Sequence, residues 1–236
     1  MIIDTTFDVY SDTPKGKDPD SYSPTLRRFH QALWSKELPN GKLFGLTTNE
    51  PKTYLHHKSV LGNFALSSDS FVHSYRYLKK TQQLVEQVPE AELDQFYAIC
   101  STIGGYIIFP SRRIDGKLTI NGARGFYSSI MDRADLTLEC IRRHYEGGES
   151  PLGGVLARYA DFFALFEDFC GYTDFFLLQD LVRTDGSGVS FLLPFDDFNF
   201  SPLPASLSEY ATYRSKLAEF VLARNERIES QCTSPS

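Results

Sequence analysis

Ile130-Met131-Asp132-Arg133-Ala134-Asp135-Leu136-Thr137-Leu138-Glu139-Cys140-Ile141-Arg142-Arg143-His144-Tyr145 decides how the chain is read as a fold. Ile130, Ala134, Leu138, Ile141 and Tyr145 recur at steps of three and four. That spacing stacks side chains on one face of an α-helix, so this face is expected in a core. Asp135, Glu139 and Arg142 form a second stripe, and Glu139 to Arg143 is an i,i+4 pair worth about 0.2–0.5 kcal/mol on a solvated surface. Just upstream, Asn121-Gly122-Ala123-Arg124-Gly125 sets flexible backbone beside a guanidinium. Unpaired N–H groups at a helix start, with an arginine nearby, suit a phosphate or carboxylate.

From Ser111 to Tyr145 seven basic residues stand against four acidic ones, a local excess of +3 in a chain of net charge −6. This zone nominates Arg112, Arg113, Asn121, Arg124, Arg133, Arg142 and Arg143 as a site for an anion. The competing expectation is that these arginines pair with Asp132, Asp135 and Glu139 as an ordinary charged face. Arg142 and Arg143 lie about five turns beyond Arg124, roughly 25 Å along a continuous helix. Arg112 and Arg113 are therefore the better companions for Arg124.

The 236 residues, 42% hydrophobic and with 19 Phe and 13 Tyr, suffice for a sizeable packed core. The acidic balance argues against general binding to nucleic-acid backbones. No signal-peptide pattern and no apolar run of about 20 residues is present, so a cytoplasmic protein that does not enter a membrane is expected. Cys100, Cys140, Cys170 and Cys232 form no CxxC pair and signal neither zinc nor a disulfide framework. The first three are expected as buried free thiols.

Outward from the opening stretch, Ile3 to Tyr10 alternates apolar and polar residues as an edge strand does. A turn-rich segment follows, in which Asp12, Asp18 and Asp20 lack the spacing of a calcium loop, so no metal site is expected. Ser23-Pro24 opens a helix running to Leu38, with Leu26, Phe29, Leu33 and Trp34 inward. Lys42–Leu46 reads as a short strand and Ser67–Leu78 as a capped helix carrying Phe71, Tyr75 and Leu78 inward. Another helix uses Leu93, Phe96, Tyr97 and Cys100, Gly104–Pro110 is a buried strand, and Leu118–Ile120 and Val189–Leu193 are further strands. Leu152–Phe166 and Ser206–Ile228 are amphipathic helices. These elements predict one α+β domain over 1–229, mostly helical around a small mixed or antiparallel sheet, with a frayed polar tail over 230–236.

Lys17-Asp18-Pro19-Asp20-Ser21, Leu33-Trp34-Ser35-Lys36, Thr102-Ile103-Gly104-Gly105, Asp135 to Arg143 and Arg224-Asn225-Glu226-Arg227-Ile228 resemble a bacterial protein family without an assigned function. The resemblance spans nearly the whole chain. It implies a bacterial, cytoplasmic, single-domain protein and carries over no catalytic residue.

P-loop, GxGxxG, HExxH and GxSxG patterns are all missing, so no cofactor is implied and the familiar phosphate-cradling, zinc-hydrolase and acyl-transfer templates lack their parts. Two function classes remain. One is a binding or regulatory protein whose arginines receive a phosphate-bearing small molecule, a nucleic-acid end or an acidic partner. The other is an enzyme acting on a phosphoester or glycosidic bond, with arginines stabilising charge and His30, His57 or Asp180 as acid or base.

Overall fold

The computed structural model describes residues 2–186 and 188–233, the last two as backbone only. Four strands, β1 (Leu46–Thr47), β2 (Leu55–Ser59), β3 (Gly62–Ser70) and β4 (Tyr106–Pro110), form one sheet in the order β1-β2-β3-β4. Every neighbouring pair is antiparallel. Ser59 pairs with Gly62, so β2 and β3 make a hairpin with Val60-Leu61 at its tip. Gly62 sits at φ +155°, where an L side chain is strained. All five residues of β4 are buried, which its unbroken apolar run anticipates.

The helices are α1 (Pro19–Tyr22), α2 (Pro24–Trp34), α3 (Gln82–Val85), α4 (Glu90–Cys100), α5 (Ile120–Phe126), α6 (Ala134–Tyr145), α7 (Gly153–Leu156), α8 (Ala160–Phe163), α9 (Phe169–Phe175) and α10 (Leu207–Thr233). Together with the sheet they make an α+β fold. Ser23 caps α2, its hydroxyl accepting from the Leu26 amide at 3.1 Å, and Asp12 braces the same turn by accepting from the Thr25 amide at 2.9 Å. Helix α10 packs on α4 and on the turn Ile103–Gly105. A Cβ on Gly104 would lie 2.5 Å from Asn225 Oδ1 and 2.6 Å from Val221 O, so glycine permits this approach. In return the Gly104 amide donates to Asn225 Oδ1 at 2.9 Å.

Several elements depart from the sequence expectation. Ile3, Thr5 and Val9 are buried and Asp4, Thr6, Asp8 and Tyr10 exposed, yet the backbone turns instead of laddering. Ser67–Ser70 completes β3 against β4 instead of starting a helix, because pairing to the buried strand overrides local capping chemistry. Helix α6 begins at Ala134, since Met131 and Asp132 both adopt positive φ, 49° and 58°, and break the turn before it. Its face is otherwise as expected, with Leu138 and Ile141 buried and Tyr145 half-buried.

Leu152–Phe166 is a succession of short α and 3-10 turns, not one helix. Phe162, Phe163, Leu165 and Phe166 are all buried, so the segment turns more than one face inward and packing outweighs helical regularity. Leu118 lies in a loop before α5, and Val189 makes only a single bridge, to Val182. Cys170 is exposed, because α9 directs Tyr172, Thr173 and Phe175 inward and leaves Cys170 facing Asp174 on the outer side. The polar tail expected from Ser230 is helical to Thr233, and 234–236 lie outside the described residues.

Candidate functional site

Beside β3 lies a cleft of about 580 Å³ lined by Asp8, Tyr10, Asp18, Asp20, His73, Tyr77, Asp94, Tyr97 and Tyr106, with no lysine or arginine in its lining. Asp18 caps α1 by accepting from the Asp20 amide at 3.1 Å, which fixes the Asp20 backbone at the cleft wall. Behind Asp20 runs a chain of hydrogen bonds. The Trp34 indole N–H donates to His30 Nδ1 at 3.0 Å, so a neutral His30 carries its proton on Nε2 and donates it to Ser68 Oγ, also at 3.0 Å. Ser68 in turn donates to Asp20 Oδ1 at 2.7 Å. Oδ1 is therefore held as an acceptor, and Oδ2 is the oxygen free to take a proton.

Electrostatics sharpen this geometry. Withdrawal from water pushes the Asp20 carboxyl up to about 7; the nearby Asp69 charge adds to the rise and the Ser68 hydrogen bond offsets part of it. Burial also raises Asp69, to about 6, against the pull of Arg124. His30, wholly enclosed, falls to about 3 through burial and the Arg224 charge, so it is a neutral brace near pH 7. The His73 imidazole is lowered by burial, Asp132 opposing and Arg124 reinforcing the shift.

The nominated arginines do not converge. Arg124 is fully buried: Nε donates to Thr137 Oγ1 at 2.9 Å, Nη1 pairs with Asp69, and Nη2 donates to the Asp132 carbonyl at 3.2 Å. The partner is Asp69 and not the sequence-neighbouring Asp132 carboxylate. Arg133 is buried on Asp135 and also donates to the Pro202 carbonyl at 3.1 Å. Arg142 and Arg143 share Glu139, at 2.8 and 2.7 Å. Asn121 donates to the Ser68 carbonyl at 3.2 Å and thereby ties α5 to β3.

Arg112 and Arg113 stand apart, lining a second cavity of about 430 Å³ with Arg158. Of the nominated acid–base residues, His30 supports Asp20 from behind. His57 is buried against the Phe44 ring, 4.1 Å between centroids, with Nδ1 on the Gly45 carbonyl, and burial lowers its pKa. Asp180 is paired with Arg227 at 2.7 Å.

Asp20, Asp69 and His73 were not legible as a site. The one signal was a run of polar residues, Ser67 to Ser70, which is unusual for a strand that touches the core. Among the described residues no group of three or more His, Cys, Asp or Glu is placed to hold a metal ion. Likewise, no described helix is long and apolar enough to cross a membrane.

A family model matches residues 3–228. The chain belongs to DUF6994, a family of unknown function. No curated protein and no solved structure matches the chain. What this DUF6994 member does is therefore argued from the cleft itself.

Proposed function

We propose that the protein is an enzyme in which Asp20 performs general acid–base catalysis on a small molecule bound in the acidic, tyrosine-lined cleft. The observation that carries this is the chain from Trp34 through His30 and Ser68 to Asp20, which ends on a carboxyl at the cleft wall. A group titrating near neutral pH can both give and take a proton there. Asp69 is ion-paired with Arg124, whereas Asp20 is held by the Ser68 hydroxyl and has no paired cation among the described residues, so the two carboxyls sit in different environments. Four carboxylates in the lining repel a phosphate. Of the two bond types considered, a glycosidic bond thus suits the cleft better than a phosphoester, and the tyrosines offer faces to a sugar ring.

The test is hydrolysis of a panel of nitrophenyl glycosides by wild type and Asp20→Asn. Wild type is expected to turn over at least one, with a pH–rate limb near 7, and the variant to lose about 10²–10⁴-fold while keeping its circular dichroism spectrum. Turnover of none, or an Asn variant as active as wild type, overturns the proposal. A phosphate-bearing ligand or acidic partner, the other functional reading, retains support only from the cavity that holds Arg112 and Arg113. A bacterial cytoplasm, the setting expected from the sequence, is retained as part of both readings.

A further inference from the structure

We infer that the second cavity is a separate binding site for a small anion carried on an aromatic or aliphatic body. Arg112 and Arg113 follow β4 after Ser111, and neither guanidinium forms an ion pair or hydrogen bond among the described residues. This is unlike Arg124, Arg133, Arg142 and Arg143, each of which is committed to a carboxylate. Arg158, from the turn Ala157–Tyr159, completes the set. Its Nη1 donates to the Gly154 carbonyl at 2.8 Å and its Nη2 to the Leu118 carbonyl at 2.6 Å, which fixes the plane of the group. Its Nε hydrogen is buried without an acceptor among the described residues.

Three guanidiniums against Asp115 and Asp161 leave the lining net positive in an acidic protein. Planar forks of this kind match phosphonate, phosphate and carboxylate oxygens. The remaining wall includes Leu61, Phe64 and Tyr159, so the cavity also offers apolar surface to the body that carries the anion. Its concavity favours a small molecule over an acidic protein surface. Tyr159 donates its hydroxyl to the Arg112 carbonyl at 3.0 Å, which anchors the arginine loop to the segment bearing Arg158.

Phenylphosphonate is the probe, with benzoate, inorganic phosphate and benzylamine as comparisons, followed by calorimetric titration and amide NMR shifts. Phenylphosphonate is expected to bind more tightly than inorganic phosphate, and benzylamine not to bind at this cavity. A stronger response to benzoate than to phenylphosphonate would assign a carboxylate as the natural head group. Arg112→Ala/Arg113→Ala should weaken phenylphosphonate about tenfold or more per arginine with an unchanged melting temperature, because both side chains are exposed. Asp20→Asn should bind it as wild type does, which separates this site from the acid–base cleft. Silence of both readouts with phenylphosphonate, or a double alanine variant that binds it equally well, overturns the inference.

Discussion

In the stretch 111–145 the charges nominated as a ligand site mostly meet charges of the same chain: Arg124 meets Asp69, Arg133 meets Asp135, and Arg142 and Arg143 share Glu139. In the segment 8–20, by contrast, Asp8, Asp18 and Asp20 line an open cleft, and burial and nearby carboxylates hold the Asp20 proton near neutrality. The first region is denser in charge, and the second is where charge is left uncompensated. What distinguishes a site from a scaffold here is the supply of partners, because a paired buried ion has spent its hydrogen bonds on the fold.

Breaking a scaffold pair should give the largest effect. Arg124→Ala strands Asp69 and should cost about 3–5 kcal/mol in denaturant unfolding near pH 8. Asp69 already titrates at about 6 with its partner present and should rise further without it, so the loss should shrink below that pH as the carboxyl protonates. An alanine variant as stable as wild type at pH 8 would remove Arg124 from the scaffold side of the comparison.

His30→Phe should come next, at about 1–3 kcal/mol, since it leaves the Trp34 indole N–H and the Ser68 hydroxyl short of a partner. The sign with pH is specific. His30 falls from 6.5 to about 3 in the folded state, so its contribution is present above pH 6.5 and is lost as pH falls towards 3. The deficit of the Phe variant should therefore narrow in acid, and melts from pH 7 to 4 would show it. A deficit that widened in acid would mean that His30 is charged.

Asp20→Asn should do the reverse of a scaffold mutation. The native carboxyl is pushed up to about 7, well above the ordinary aspartate value of 3.8, so the folded state binds more protons and its stability falls as pH rises from 3.8 through 7. Asparagine removes that slope and should leave the variant about 1–2 kcal/mol more stable than wild type at pH 8, after allowance for partial exposure. A stability gain combined with lost turnover is the mark of a residue kept for chemistry. Parallel stability–pH curves would show that Asp20 carries no such strain.

The helical core was legible because its signal is local. Leu26, Phe29, Leu33 and Trp34 on α2, and Leu138 and Ile141 on α6, announce their faces within a few turns, and all are buried. The cleft was not legible because its decisive contacts join distant positions: Ser68 to Asp20 across 48 residues, Arg124 to Asp69 across 55. Ser67-Ser68-Asp69-Ser70 carries a helix-capping composition, and only the pairing of β3 with β4 turns it into the strand that presents Ser68 and Asp69. For the same reason the sequence left Arg124 between a ligand role and pairing with a near neighbour such as Asp132, and the distant Asp69 that saturates it in the fold was not in view.

The smallest expected effect tests the scaffold reading at its margin, on α6. Arg142 is half-buried and reaches both Glu139 and Glu146, but Glu146 is exposed, and Glu139 keeps Arg143 when Arg142 is removed. Arg142→Ala alone, or Arg143→Ala alone, should therefore cost only a few tenths of a kcal/mol, as surface pairs do. Glu139 itself is almost wholly buried, and its carboxyl is held below the usual range because hydrogen bonds and charge from the two arginines together outweigh the upward push of burial. Removing both arginines leaves that buried carboxylate without a cation, so the double variant should lose more than the sum of the singles, by about 0.5 kcal/mol or more. Strict additivity in a double-mutant cycle would mean that Glu139 never depended on them, and would return Arg142 and Arg143 to the pool of charges available to a ligand.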